Sequence, residues 1–557
     1  MGVVAVRQAR HGGLERFQFH VAHQLADVLA LAVQGPALLE LLGLVDRLAQ
    51  PFRQRQLVEL VRPQLREPLP ELLQRVGLSL ARALAGAEVL LVLPAVFFRV
   101  LVHAVQFCLM SHDVDASRIP ALQDIVRQAL DAARQAGADQ AEADVSLQKG
   151  LNGGVRLGEV ETIEYQRDRG LGITVYFSGA KGSASSADLR PEAVRDMVAK
   201  ACAIARHTAR DEFAGLADPA ELARDIPDLA LDHPWALTPE AAIELARRCE
   251  AAGLAVDKRL TNSEGASVSS HQGVRVYGNS HGFLAGYPST SHSISCALIA
   301  QVGDDMQRDY WYTASRDPAT LDDGEHVGRI AGERSIARLG AEKLSTRKAP
   351  VIFAADVARG FFGHMVSAAR GSSQYRKASF LQDAAGEQVL PAFVQMQERP
   401  HLRAALASSP FDGEGVATRD RDLVKDGVLT GYVLGSYSAR KLGLRTTGNA
   451  GGIHNLLVSG GADAPDLAAL FRRMGEGLYV TELMGQGVNG VTGDYSRGAS
   501  GFWIRGGERG PAVHEITIAG NLKQMYRDVI AIGSDVDTQG TIRTGSVLVD
   551  GMTIAGD

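Results

Sequence analysis

Apolar residues recur at helical spacing from Ile119 onward and predict a helix there. Gly137 is a suitable stop signal for this helix. Alternating and β-branched runs follow and predict strands joined by tight turns, and a second helical pattern spans 190–209. The sequence thus predicts a mixed helix and sheet domain over residues 113–225. The stripe of the first helix comprises Leu122, Ile125, Val126 and Ala129.

A Pro- and Asp-rich segment, 225–235, separates this domain from the next helical pattern. Thr238 is suited to cap that helix, because its hydroxyl can accept a hydrogen bond from a free N–H of the first turn. A β-rich stretch, 268–311, comes next, and the turn GNSHG divides it into a hairpin. These elements predict a β-rich middle domain over residues 236–343.

Residues 346–557 are rich in Gly, Ser and Asp, and β patterns dominate there. Two amphipathic patterns interrupt the strands and predict core helices, the second of them behind a cap at Asn521. We therefore predict the α+β class, with a large β-rich C-terminal domain that contains a few core helices. The stripes are Leu467, Leu470, Phe471 and Met474 in one helix, and Leu522, Met525, Tyr526, Val529 and Ile530 in the other.

The segment GFFGHMVSAARG, residues 360–371, predicts a helix with His364 on its apolar face. A catalytic zinc site needs three protein ligands, and a zinc-protease helix supplies two histidines from one face beside a glutamate base. No such partner lies four or five residues to either side of His364. His454 and His514 are the histidines that could join it from elsewhere. We interpret the segment as a core helix with one packed histidine.

Two short motifs match a dinucleotide-binding pattern and a Ser–Lys hydrolase pattern, but each lacks supporting elements. GQGVNG, residues 485–490, matches GxGxxG, but a dinucleotide fingerprint requires a helix directly afterwards, and the following VTGDYSRGASGFW is too rich in glycine to begin one. We interpret these glycines as serving close backbone packing or an open groove. SARK, Ser438–Lys441, matches SxxK, in which lysine can activate serine, but the supporting SDN and KTG elements are absent.

Amino-acid composition argues against nucleic-acid binding, membrane binding and a disulfide framework. The net charge of −6 provides no polycation for nucleic acid and no basic face for a membrane. The four cysteines form no CxxC or CxxH pair, which argues for a reducing compartment and against a disulfide framework. The most apolar run, 89–98, is half the length of a membrane span. We expect a cytoplasmic protein that binds neither nucleic acid nor membrane.

Residues 1–109 differ in composition from the remainder of the chain. They contain no Lys, Thr, Asn, Ile, Tyr or Trp, whereas all six residue types occur after Met110. One interpretation is a Leu-rich helical extension, for which 69–84 is the best segment. The other, which we expect, is a start codon assigned too far upstream, with Met110 as the first residue.

Several long blocks from about residue 113 to the end carry a family resemblance. They include RGLGITVYFSGAKGSASSADL, LTNSEGASVSSHQGVRVYGNSHGFLAGY, SSPFDGEGVATRDRDLVKDGVLTGYVLGSYSARKLGL, TGNAGGIHN, TELMGQGVNGVTGDYSRGASGFW and HEITIAGNLKQM. These blocks resemble the TldD/PmbA family and specifically its PmbA (TldE) branch. The resemblance implies a family of metallopeptidases of bacterial cytoplasmic proteins and peptides, in which a TldD-type subunit pairs with a PmbA-type subunit.

The resemblance also locates the positions of the family's zinc site. The TldD-type subunit carries HExxxH on a helix and a cysteine near its C-terminus as zinc ligands. Gly363 and Ala368 stand at the two histidine positions of this motif, and His364 stands at the glutamate position. Thr544 stands at the cysteine position. The resemblance therefore implies no catalytic residue, no metal ligand and no cofactor in this chain, with zinc expected in a TldD-type partner.

The family's heterodimer is thought to admit unfolded peptide or protein into a cleft. Glycine-rich strands suit a peptide held by backbone hydrogen bonds, and Tyr and Arg side chains suit aromatic contact and carboxylate pairing. The candidate cleft residues are His454, Gly485, Gly487, Tyr495 and Arg497. Two alternatives stay open: a chain that is itself a metallopeptidase using His364, His454 or His514, and a non-enzymatic modulator that binds a protein such as DNA gyrase.

Overall fold

Alternating burial along the first long strand sets the architecture of the N-terminal half. The computed structural model describes residues 114–556, and the expectations for residues 1–109 lie outside them. Helix α1 (Ile119–Gln135) buries Leu122, Val126 and Ala129, as its stripe predicts. Strand β1 (Gln140–Arg156) then buries every second side chain along most of its length against the helices.

A six-stranded antiparallel sheet, in the order β3-β2-β1-β4-β5-β6, forms the centre of this half. The predicted GNSHG turn joins its fourth and fifth strands. Its other strands are β2 (Glu159–Phe177), β3 (Ala180–Ser186), β4 (Leu260–Asn279), β5 (Leu284–Val302) and β6 (Asp305–Ser315).

The same order of elements occurs twice in this half, as helix, three strands, helix. The first set begins at α1 and ends at α2 (Pro191–His207), and the second runs from α3 (Pro239–Leu254) to α4 (Gly324–Ala337). Residues 225–235 connect the two sets without helix or strand. The first strands of the two sets, β1 and β4, pair along fourteen positions, so one sheet continues through both predicted domains. All four helices cover the same face of that sheet.

The C-terminal half is built on a closed ring of strands. Strand β7 (Arg347–Phe353) lies between β12 (Gly477–Met484) and β17 (Val547–Ala555). Strand β13 (Asp494–Arg505) joins β12 to β14 (Glu508–Asn521), and β14 pairs with β17 to close the ring. Helix α5 (Ala355–Ala369) packs within the core that this ring shares with a second sheet. The predicted α+β class is confirmed.

The second sheet has the order β10-β9-β8-β11-β16. Its strands are β8 (Gln395–Glu398), β9 (Arg421–Lys425), β10 (Val428–Leu429), β11 (Leu456–Ser459) and β16 (Ile542–Arg543). The remaining elements are β15 (Val529–Ile532), which pairs with β17, and helices α6 (Gly371–Tyr375), α7 (Ser436–Leu442), α8 (Leu467–Met474) and α9 (Leu522–Arg527). Within residues 114–556, every helix is too short or too polar to cross a membrane.

The last predicted helix is shorter than its stripe suggests. Asn521 caps α9 by accepting a hydrogen bond from the backbone N–H of Lys523, as predicted. The helix nevertheless ends at Arg527, and Val529 and Ile530 belong to strand β15 instead. Their placement in the predicted helix was wrong, because Val529 pairs with Val549 of β17 and Ile530 follows it in the same strand.

Candidate peptide-contact site at helix α5

Helix α5 is a core helix that aromatic side chains hold in place. Phe361 is buried between the rings of Phe353 and Tyr526, at centroid distances of 5.3 and 4.6 Å. The hydroxyl of Tyr526 also donates a 2.7 Å hydrogen bond to the carbonyl oxygen of Phe361. The interior of the C-terminal half therefore determines where α5 lies, and with it the position of His364.

The positions that the resemblance assigns to the family's zinc ligands lie on neighbouring elements. Helix α5 packs against β16, and a Cβ at Gly363 would lie 3.9 Å from the Cδ1 of Ile542. Thr544, two residues further on, is fully buried and donates its hydroxyl to the carbonyl oxygen of Gly545 at 3.0 Å. The structure thus brings the helix and the segment after β16 together, as a shared zinc site would require.

The side chains at these positions do not fit zinc. Gly363 has none, Ala368 presents a buried methyl group, and the hydroxyl of Thr544 is engaged within the chain. Zinc is held in proteins by thiolate, imidazole and carboxylate donors. Among residues 114–556, no group of three or more His, Cys, Asp or Glu side chains is arranged to hold a metal ion.

His364 forms a small cluster with Tyr495 and Arg497 on strand β13. The imidazole meets the buried ring of Tyr495 edge-on, with 6.0 Å between the ring centroids. Arg497 is half-buried, and its Nη2 lies 3.4 Å from the carbonyl oxygen of Leu483. Its Nε is buried without a hydrogen-bond partner in the described chain.

Burial, followed by the positive charge of Arg497, lowers the pKa of His364 below its ordinary value. The imidazole is therefore neutral at neutral pH. Burial likewise raises the pKa of the Tyr495 hydroxyl to about 12, although Arg497 opposes this shift. The cluster thus offers one guanidinium charge near two neutral rings, which suits a carboxylate or a peptide carbonyl.

Replacement of Arg497 by Met is expected to raise the pKa of His364, because it removes a nearby positive charge. The pKa should stay below about 6.5, since burial, the larger cause, remains. Histidine NMR titration measures the shift, and Arg505→Met, at the exposed end of β13, is the control. As the pH falls below about 6.5, the unfolded chain takes up this proton before the folded one, so the contribution of His364 to the unfolding free energy decreases. An unchanged or lower pKa of His364 in Arg497→Met would contradict the expectation.

The glycines of the GxGxxG motif let the loop before β13 run against that strand. A Cβ at Gly487 would lie only 2.0 Å from the carbonyl oxygen of Ser496, whose N–H donates to the oxygen of Gly487 at 2.7 Å. Gly485 has a φ of +78° and open space around it. A strand, β13, follows the motif instead of a helix, as the sequence predicts. The close backbone approach expected of these glycines is thus made within the chain, and β13 has neighbours along both edges.

His454 lies in a separate buried cluster around Glu398. Its backbone N–H donates to Oε1 of Glu398 at 2.7 Å, and its Nδ1 lies 3.0 Å from the same oxygen. Arg421 and Asn449 each donate to the carboxylate at 2.7 Å. Burial alone would raise the pKa of Glu398, but the bonds from His454 and the charge of Arg421 outweigh it and lower the pKa.

Family models match most of the described chain. Residues 143–205, 232–339 and 346–556 match PmbA/TldA metallopeptidase domain 1, the central domain and the C-terminal domain, respectively. Metalloprotease PmbA of Escherichia coli O157:H7 is 52% identical over 443 residues, which cover 79% of this chain and 98% of that protein. The chain belongs to the PmbA branch of the PmbA/TldD metallopeptidase family. The Metalloprotease PmbA homolog of Haemophilus influenzae is 48% identical over 436 residues, 78% of this chain and 96% of that protein.

Solved structures share the PmbA-family fold. A Bacteroides thetaiotaomicron protein, named as a modulator of DNA gyrase, superposes with a TM-score of 0.74 at 27% identity, over 78% of this chain and 99% of that one. TldE from Thermococcus kodakarensis superposes with a TM-score of 0.69 at 20% identity, over 78% of this chain and 100% of that one. At this identity, the second likeness concerns the fold alone.

The other polar residues that the sequence singled out have separate partners in this PmbA-family chain. Nδ1 of His514 lies 3.5 Å from the side-chain amide of Gln307. In the SxxK motif, Ser438 donates to the carbonyl oxygen of Gly435 at 3.0 Å, whereas the ammonium of Lys441 lies 3.7 Å from the carboxylate of Asp211. The polar groups of this serine and lysine are thus engaged with different residues.

An ion-pair network ties the start of α5 to the N-terminal half. Arg334 on α4 lies 3.3 Å from the carboxylates of both Asp309 and Asp356, and Asp356 is in the first turn of α5. Arg338 lies 3.4 Å from Asp309 and also contacts Glu482. Burial raises the pKa of Asp356, although the charge of Arg334 opposes this shift. These charges, none of which stood out in the sequence, fix the helix relative to the six-stranded sheet.

The uncovered face of the sheet borders a cavity of about 550 Å³ beside the C-terminal half. Glu142, Asp144 and Glu414 contribute carboxylates to its lining, and Arg275 contributes a guanidinium. The Glu142 carboxylate accepts hydrogen bonds from the hydroxyls of Tyr176 and Tyr277 at 2.9 and 2.8 Å. Burial raises the pKa of Glu142, and these bonds oppose the shift. An excess of acidic groups favours cationic over anionic occupants.

Proposed function

We propose that this chain is the non-catalytic subunit of a cytoplasmic, two-chain zinc peptidase that acts on unfolded peptides or proteins. A TldD-type subunit would hold the zinc, and this chain would contribute cleft wall and interface. One observation carries the proposal: α5 packs against β16, so the elements assigned to the zinc site are neighbours, but the assigned positions carry Gly363, Ala368 and Thr544. The neighbouring elements of such a site are present, but the side chains that would bind zinc are missing.

The neutral imidazole of His364 also supports a non-catalytic role for this chain. It stands at the position of the family's general base, yet it packs against Tyr495, and its pKa is lowered by burial and by Arg497. A base that activates zinc-bound water acts beside the metal, and no other His, Cys, Asp or Glu lies within five residues of this imidazole on α5. We infer that His364 helps to shape the peptide-contact surface.

Arg497 is the side chain proposed to contact substrate, and Tyr495, whose ring is buried, is proposed to support it. The half-buried guanidinium of Arg497 suits the carbonyl or terminal carboxylate of an extended peptide. Tyr495 positions this arginine, because both are on β13 and the tyrosine packs against α5. Peptide main chain is common to all substrates, so such contacts place little demand on sequence.

The proposal is tested by purifying the full chain alone and together with a TldD-type subunit. Alone, the chain should contain far less than one zinc per molecule by elemental analysis and should leave an unfolded casein substrate intact. The mixture should form a stoichiometric complex and cleave the substrate. Stoichiometric zinc together with cleavage by this chain alone would overturn the proposal, because the donors would then be its own.

In that complex, Arg497→Ala is expected to raise KM for peptide about tenfold, with a smaller change in kcat, since it removes a charge-assisted contact outside the zinc centre. Arg497→Lys should recover part of the loss. Arg505→Ala, which replaces an exposed arginine of the same strand, is the matched control. An unchanged KM in Arg497→Ala would remove this residue from the cleft.

A modulator of DNA gyrase is the second candidate, and the name of the Bacteroides thetaiotaomicron structure is the observation that favours it. Affinity capture with this chain as bait distinguishes the two functions. Recovery of gyrase without a TldD-type subunit would favour the modulator. Recovery of a TldD-type subunit alone would favour the peptidase.

A further inference from the structure

The β1–β2 hairpin projects an open strand edge from the six-stranded sheet. Strand β3 pairs with β2 only from Leu171 to Phe177. Among residues 114–556, no strand pairs with the outer edge of residues 159–169, and every residue of that segment is exposed. We call residues 159–169 the open edge. An unpaired edge of this length can template pairing with another chain.

Apolar side chains make the open edge unusual for a surface strand. Ile163 and Tyr165 are each 55% exposed, and Val160 is 46% exposed. Proteins usually guard such an edge with short strands, bulges, prolines or charged side chains, and six of the eleven residues of the open edge are charged. Here a long strand carries large apolar groups on its surface, so its apolar area is available to a partner.

The hairpin is held rigid at its tip. The carboxylate of Glu250, buried on α3, accepts hydrogen bonds from the backbone N–H groups of Leu157 and Gly158 at 2.9 and 2.8 Å. Arg247 of the same helix donates to the carbonyl oxygen of Gly158 at 2.9 Å. A pre-ordered edge loses less conformational entropy when it binds than a mobile one does.

Most of the acidic and basic charges occupy different parts of the open edge. Glu159, Glu161 and Glu164 occupy its first part, whereas Arg167 and Arg169 flank Asp168 at its end. When two identical strands pair antiparallel about a two-fold axis, the start of each meets the end of the other. Opposite charges then face each other at both ends of the ladder, and the apolar groups meet near its centre.

We propose that the open edge pairs with the open edge of a second copy of this chain, as an antiparallel and two-fold symmetric ladder. The acidic start of one copy lies beside the basic end of the other, and the central Ile163 and Tyr165 side chains pack together. The approach of the two Glu164 carboxylates near the axis opposes association, so we expect a reversible dimer. This inference does not depend on the proposed peptidase function.

Two variants of single charge sign test the pairing. Arg167→Glu with Arg169→Glu makes the edge uniformly acidic, and Glu159→Arg with Glu161→Arg makes it predominantly basic. The full-length wild type should associate reversibly in sedimentation velocity over a concentration series, and more weakly in high salt. Each variant alone should show a dissociation constant raised at least about tenfold, and a mixture of the two variants should associate again.

The control is Arg195→Glu with Lys200→Glu, which reverses two exposed charges on α2 and should leave self-association unchanged. Circular dichroism shows whether each variant is folded. A wild type that stays monomeric at all concentrations would overturn the proposal, as would edge variants that associate like the control. Edge variants that no longer bind a TldD-type subunit but still self-associate would also overturn the proposal. The open edge would then be the binding surface for that subunit.

Discussion

Replacement of Glu398 by Ala is expected to lower the free energy of unfolding by about 3–5 kcal/mol, because it leaves buried donors and the Arg421 guanidinium without their acceptor. The carboxylate is 1% exposed and accepts hydrogen bonds from Arg421, Asn449 and His454. It thereby connects β8, β9 and the loop that leads into β11. Chemical denaturation followed by circular dichroism measures the loss.

The matched control is Glu508→Ala, which removes an exposed carboxylate at the turn between β13 and β14 and should change the unfolding free energy by less than about 0.5 kcal/mol. Glu398→Gln keeps the shape and two acceptor lone pairs, so its loss should be smaller than that of the alanine variant. Since the pKa of Glu398 is lowered, its stabilisation is present above the ordinary glutamate pKa and is lost as the pH falls through the lowered value. A loss below about 1 kcal/mol in Glu398→Ala would contradict the structural role given to this cluster.

Phe361→Ala is expected to cost about 3–5 kcal/mol of unfolding free energy, as large aromatic truncations in protein cores do. The ring is 1% exposed and contacts Phe353, Phe362 and Tyr526. Its removal leaves a cavity between α5 and the ring of strands, which the surrounding aromatic groups can fill only in part. Thermal and chemical denaturation of the full chain measure this effect.

Phe393→Ala is the control for Phe361, because it truncates an exposed phenylalanine of the same half. Its expected change is less than about 0.5 kcal/mol. Equal losses in the two variants would mean that α5 is not packed as the structure places it. The comparison therefore tests the core-helix interpretation independently of any peptidase activity.

Local signals in the sequence predicted the elements that depend on neighbouring residues. The caps at Thr238 and Asn521 and the hairpin turn between β4 and β5 are examples, because each needs only a side chain and backbone within a few positions. The boundary of α9 was predicted wrongly for the same reason. The pairing of Val529 with β17 outweighs its place in a helical stripe, and the stripe contains no information about that partner.

The sequence did not predict features formed by distant segments. Glu398 carries no motif, and its importance arises from Arg421, Asn449 and His454, which fold around it from later in the chain. The continuous sheet across both N-terminal sets of elements likewise has no signature within either set, since it depends on the β1–β4 pairing. The resemblance to the family assigned the positions of the zinc site. The structure shows which elements carry these positions and which side chains lie around them.

The closed ring of the C-terminal half also constrains the order of events during synthesis. Strand β7 is the first strand of the ring to leave the ribosome, and its partner β17 is the last. Until β17 emerges, one edge of β7 lacks its final partner. Such unfinished sheets are prone to aggregation, and long-range closure is slow. Nascent chains of this protein should therefore depend on holdase chaperones until the last strand is made.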